Sequence, residues 1–228
     1  MGRFLYSTQA ELPPPAQAKK PITLDVLECI LSSSEVQGCP HIYAALCISY
    51  ASLLRLSQFT VEGWPFDPTT QLTCGAVQFL PDLETASQVV ITPPPFCSRH
   101  RVSIHLASAD GFPTCPVSAL KLLFTESPRS PDAPLFENAD GSALSRQTFI
   151  STVGRALLAS GLDPTLFGRC PRRGALLSAR AVGLDTDSLS TLVGLDFDSG
   201  PLYHSVEAPV CEVHVPLELY QRATARST

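Results

Sequence analysis

The chain has 228 residues, the length of one domain or of one domain with a short appendage. It is 44% hydrophobic with a mean hydropathy of +0.14, enough apolar material for a large core, so a wholly disordered chain is excluded. Only 16% of the residues are charged and the formal net charge is −5, which counts against a broad basic face for nucleic acid. Lysine is confined to Lys19, Lys20 and Lys121, so arginine carries most of the positive charge. No apolar run reaches the ~18 residues of a membrane span, and Met1 to Gln17 lacks the continuous apolar stretch of a signal peptide. Eight cysteines scattered without a tight framework suit a reducing compartment.

Residues 1–21 read as a Pro-rich linker, because Pro13-Pro14-Pro15 favours an extended segment and no apolar period accompanies it. Thr23 is then the expected cap of a helix carrying Leu24, Leu27, Ile30 and Leu31 at helical spacing. The stretch 41–56 is apolar on almost every side, the pattern of a buried central helix, with Arg55 near its end. Three runs rich in Val, Ile, Phe and Thr, at 71–80, 86–92 and 101–107, predict strands. They are expected to form an antiparallel meander with Pro93–Pro95 in or beside the second turn, since proline donates no ladder hydrogen bond.

Pro116 suits the first position of a helix running through Phe124, and a Ser/Pro loop follows at 127–134. Ser145 predicts the cap of a helix through Ala159, closed at Gly161. Further helices are expected at 172–182 and 187–193, the latter capped from Asp185 or Asp187, and the residues from Ala208 are weakly patterned. The resulting expectation is an α+β fold, mostly helical, with a small antiparallel three-stranded sheet. Its divisions are a linker at 1–21, a domain at 22–207 and a C-terminal tail at 208–228.

Several strings in order resemble the landmarks of one family. They are K-K-P-I-T at 19–23, L-L-R-L-S-Q-F-T at 53–60, F-D-P at 66–68, L-T at 72–73, C-P-V-S-A-L at 115–120, P-L-F at 134–136, D-G-S-A-L-S-R-Q-T-F at 140–149 and G-R-C-P-R-R-G-A at 168–175. Together they resemble the catalytic domain of tyrosine recombinases, the phage-integrase class, and within it the recombinases of DIRS-type and Crypton-type eukaryotic mobile elements. The resemblance spans about residues 20–207. It implies a domain that breaks and rejoins DNA through a phosphotyrosine intermediate, without metal or other cofactor. It also implies DNA as partner through phosphate contacts, a homo-oligomer on DNA, no membrane, and a nuclear location.

That chemistry explains the residues the family uses. Two arginines clamp the non-bridging oxygens as charge builds up in the transition state, a task suited to a planar bidentate guanidinium. A tyrosine attacks phosphorus, a lysine protonates the leaving oxygen, and a histidine serves as acid or base.

By resemblance Arg55 and Arg172 are the two clamp arginines and Tyr203 is the nucleophile, with His204 at the ungapped position. Arg169, Arg173 and Arg99 are the further cations expected to meet DNA phosphates. The departures are specific. Arg169 stands where the family has histidine, Gln58 where it has an acid, Asp196 where it has His or Trp, and no lysine lies near 93–99, where Arg99 is the nearest cation. An arginine does not give up its proton. The expectation is therefore impaired strand cleavage, the alternative being a non-catalytic relic that binds DNA or protein. Cys97/His100 and Cys211/His214 form two C-x-x-H pairs, but they match no known zinc-finger arrangement, and no metal is expected.

Overall fold

The structure is a computed structural model that describes residues 19–63, 65–94, 101–168, 170–193 and 210–221. It is an α+β assembly of eight helices and a four-stranded mixed sheet among those residues. Helix α1 spans Leu24–Leu31 and buries Leu27, Ile30 and Leu31. Thr23 occupies its N-cap position in extended backbone, although its hydroxyl makes no capping bond. A short turn of helix, α2 (Ser34–Gln37), is capped by Ser33 and leads into α3 (Pro40–Ala51), which starts on a proline that needs no N–H partner. Nearly the whole circumference of α3 is buried, as its apolar composition requires.

The predicted helix 41–56 ends early, at Ala51. Leu53 turns into the left-handed region (φ 53°), a conformation unfavourable for a side chain with a Cβ, and Arg55 follows in extended backbone. Leu53 and Leu54 remain buried, so packing decides this break rather than local propensity. Arg55 becomes the N-cap residue of a separate turn, α4 (Leu56–Phe59).

Strands β1 (Val77–Leu80), β2 (Gln88–Ile91) and β3 (Arg101–Ala107) form the expected antiparallel meander. The run 71–80 is strand only at its end, because Cys74–Ala76 forms a 3-10 turn. Pro93 and Pro94 lie after β2, outside the ladder, while residues 95–100 lie outside the described part.

The three-stranded expectation is corrected by a fourth strand, β4 (Val210–Val215), which pairs parallel to β3 and makes the sheet mixed. Val-Cys-Glu-Val-His-Val alternates with a period of two, the pattern of a strand with one face on a core. The stretch read as a tail also places Leu219 and Tyr220 in full burial, with the Tyr220 hydroxyl donating to the Ala107 carbonyl at 2.9 Å. Those residues belong to the same core.

Helices α5 (Pro116–Glu126), α6 (Arg146–Ala159), α7 (Arg172–Ala181) and α8 (Thr186–Val193) complete the chain. Their caps are the local ones expected: Ser145 accepts from the Thr148 N–H at 2.9 Å, and Asp185 accepts from the Ser188 N–H at 2.8 Å. One sheet face, bearing Val89, Ile91, Ile104, Leu106, Val213 and Val215, is buried. Phe79 meets Phe124 of α5 edge-on at 5.1 Å. The N-terminal segment docks as an extended strand. The Lys20 N–H donates to the Leu166 carbonyl at 2.6 Å, and the Gly168 N–H to the Lys20 carbonyl at 2.8 Å. The last residues of the predicted linker are thus tied down, while residues 1–18 lie outside the described part.

A half-buried polar cluster pins the loop before α6. Arg129 donates to the Pro134 and Leu135 carbonyls at 2.6 and 3.0 Å and pairs with Glu137 at 3.2 Å. Beside it the Glu137 N–H donates to Nδ1 of His41 at 3.0 Å, which requires a lone pair on that nitrogen. Burial first, then the Arg129 charge, holds the His41 pKa below its usual value, against a smaller opposing pull from Glu137.

A histidine whose folded pKa is depressed takes up its proton more readily when unfolded. Its contribution is therefore present above about pH 6.5 and is lost as the pH falls from there through the folded value. Denaturant unfolding should show stability declining from neutral pH into the mildly acidic range, with His41→Asn flattening that decline. The aspartates Asp67, Asp82, Asp140, Asp163 and Asp185, each lowered by hydrogen bonds from nearby Thr or Ser, act further down the scale. They hold stability that disappears only as their own carboxylates protonate, and His41→Asn should leave that second decline in place.

Candidate phosphate-binding site

The two arginines singled out by the sequence come from separate turns that the core brings together. Arg55 sits at the head of α4, where its own N–H donates to Gln58 Oε1 at 2.8 Å. This is the reaching-back half of a capping box, so Gln58 holds the Arg55 backbone as a carboxylate at that position would. Arg172 is the first residue of α7.

Near both segments lies the half-buried Cys170, whose thiol feels the backbone amides of both Arg172 and Leu56. One side chain thus lies near the start of both α4 and α7. Burial raises the Cys170 thiol pKa, the nearby amides and the Arg172 and Arg146 charges oppose that rise, and the group stays a neutral thiol.

Arg172 feels the arrangement most. Burial, and after it the positive charge of Arg55, push its pKa down to about 10, with Cys170 pulling the other way. It is still a cation at neutral pH. Two like charges held within electrostatic reach, one of them half-buried, favour an anion beside them.

Contacts between distant segments underlie Arg172. Tyr50 of α3 shares a hydrogen bond of 2.8 Å with Ser178 of α7, and Gly174 lets the first turn of α7 lie directly on the backbone of Ile22. Arg146 adds a third cation to the neighbourhood of Cys170, but it is engaged by Glu62 at 2.5 Å. Arg146 and Glu62 also line an open cleft of about 480 Å³ with Ser57, Thr60, Asp67 and Gln71.

The other expected contacts divide. Arg173 donates to the Lys19 carbonyl at 3.1 Å, so it ties the N-terminal segment to α7. Tyr203, Arg169, Arg99, His204 and Asp196 lie outside the described residues. The residues that sequence reasoning passed over are Cys170 and Arg146. Both lie inside quoted strings, G-R-C-P-R-R-G-A and D-G-S-A-L-S-R-Q-T-F, but nothing in either string shows that they converge.

Comparison with known protein families, curated proteins and solved structures finds no match. No helix among the described residues is long and apolar enough to cross a membrane.

Proposed function

We propose that this chain is a DNA-binding domain of tyrosine-recombinase type in which Arg55 and Arg172 hold a phosphodiester and strand cleavage is impaired. The observation that supports it is that the Arg55 charge reaches Arg172 strongly enough to lower its pKa, although the two residues are far apart in the chain. A phosphate carries negative charge on two non-bridging oxygens, and a pair of arginines is the side-chain set that meets both with charge-assisted hydrogen bonds. The net charge of −5 makes such binding weak and salt-sensitive, since few other cations add to it. The same reading implies action in the nucleus and assembly of copies on DNA.

Fluorescence anisotropy with a duplex oligonucleotide, repeated over a range of salt, tests it. Arg55→Ala and Arg172→Ala should each weaken binding by roughly 10- to 100-fold, the value of a charged hydrogen bond. Each should also reduce the slope of log affinity against log salt by about 0.9. Arg173→Ala, which removes a cation engaged with the Lys19 carbonyl, should change affinity far less. Wild-type binding that survives the double Arg55/Arg172 variant with an unchanged salt slope would refute the proposal.

A further inference from the structure

The outer face of the sheet carries Gln88 of β2, Ser103 and His105 of β3, and Glu212 and His214 of β4. Parallel pairing sets His105 opposite His214 and Ser103 opposite Glu212, so two imidazoles and a carboxylate share one face at adjacent register positions. The imidazole rings lie side by side with centroids 4.3 Å apart and planes inclined by 30°. One donor atom from each of His105, Glu212 and His214 can be chosen so that all three lie within 4.8 Å of one another.

A second observation points to a ligand. Nε2 of His105 is buried and has no hydrogen-bond partner among the described residues. A buried polar nitrogen left in that state is costly, so it requires an explanation. The opposite ring nitrogen, Nδ1, meets the Gln88 side-chain amide at 3.1 Å. The amide oxygen and nitrogen of glutamine exchange places by a half-turn. With the oxygen towards the ring, Nδ1–H donates to it and Nε2 presents a lone pair. That is the arrangement of a metal-ligating histidine, whose other nitrogen donates to an outer acceptor that fixes tautomer and orientation.

We propose that His105, Glu212 and His214 form a binding site for a divalent transition-metal ion of the zinc class. Two imidazoles and one carboxylate are borderline-to-hard ligands that suit zinc, and water completes a tetrahedral set. Donor atoms around such an ion lie ~3.3 Å apart at bond lengths of about 2.0–2.2 Å. Glu212 and His214 are exposed, so their side chains have room to close the present spacing. Bound metal joins β4 to β3 and so fastens the C-terminal strand to the sheet. The site is independent of the arginine pair and stands or falls apart from it.

The test uses the whole chain, stripped with chelator and titrated with Co²⁺ and Zn²⁺. Wild type should bind one equivalent, with cobalt showing ligand-field bands and no strong near-ultraviolet thiolate band, because no cysteine contributes. His105→Ala and His214→Ala should each weaken binding at least tenfold, and Glu212→Gln should weaken it measurably. Zinc should raise the melting temperature of wild type but not of His214→Ala, whose exposed position keeps the variant folded even if His105→Ala is not. Three results would overturn the site: no stoichiometric binding, binding indifferent to His105→Ala and Glu212→Gln, or a thiolate band signalling the C-x-x-H cysteines instead.

Discussion

Replacing Gly174 with alanine is expected to destabilise the protein by about 2–4 kcal/mol, the upper range for overpacking against a surface that does not yield. A Cβ built at this position falls 1.6 Å from the Ile22 carbonyl oxygen and 2.4 Å from its carbon. The atoms in the way are backbone, and that backbone is held by the paired hydrogen bonds between Lys20 and residues 166 and 168. Either this segment detaches or the first turn of α7 moves outward. The gain in helix propensity from Gly to Ala, about 1 kcal/mol, acts in the opposite direction and is too small to win.

For a chain of this size a loss of 2–4 kcal/mol corresponds to a drop in melting temperature of roughly 4–16 °C. Gly154 supplies the control. It lies in α6 with nothing within 4 Å of a built Cβ, so Gly154→Ala should be neutral or slightly stabilising. A Gly174→Ala variant as stable as wild type would show that the Ile22 contact is not a constraint. Because Arg172 is two residues away on the same turn, the proposed DNA binding should weaken together with the stability.

The second large effect concerns chemistry. A suicide DNA substrate that traps covalent phosphotyrosine should yield no adduct, or an adduct reduced by several orders of magnitude from that of a complete recombinase site. Attack by a phenol of pKa ~10 needs help with its proton, and the leaving alkoxide needs a proton supplied. Under the proposed reading, Arg169 stands at the histidine position of tyrosine recombinases and cannot exchange a proton near neutrality, and no lysine lies near 93–99. Removing a general acid or base costs about 10²–10⁴-fold, and two groups acting in one step need not multiply.

Under the proposed reading, Asp196 adds a negative charge where tyrosine recombinases have His or Trp. Arg146 is bound to Glu62 and is poorly placed to substitute as a third clamp. Arg55 and Arg172 hold charge without moving protons, so binding should outlast cleavage. An efficient adduct that disappears in Tyr203→Phe would show that the site retains catalysis and that other groups have taken over the missing roles.

Much of the architecture follows from local chemistry that the sequence displays. Ser145 with Thr148 and Asp185 with Ser188 satisfy free helix-end N–H groups within a few residues, and Pro116 at a first helical position has no N–H to satisfy, so α5, α6 and α8 begin where the sequence predicts. The antiparallel meander is legible for a similar reason, because its strands are neighbours in the chain.

The features that matter for function are of another kind. Leu53 leaves the helical region in a sequence that locally favours continuing it, because burial of Leu53 and Leu54 outweighs propensity, and this places Arg55 at the start of α4. β4 is a short alternating strand whose partner lies across most of the second half of the chain, and a period of two over six residues does not reveal which strand it joins or in which direction. The meeting of Arg55, Cys170 and Arg172, the fit of Gly174 on Ile22, and the register that sets His105 beside His214 all depend on contacts between distant segments. The order of residues determined which side chains were present and which helices would form. Only packing decided which of those side chains share a site, because the free energy that brings distant segments together comes from burying the core they jointly enclose.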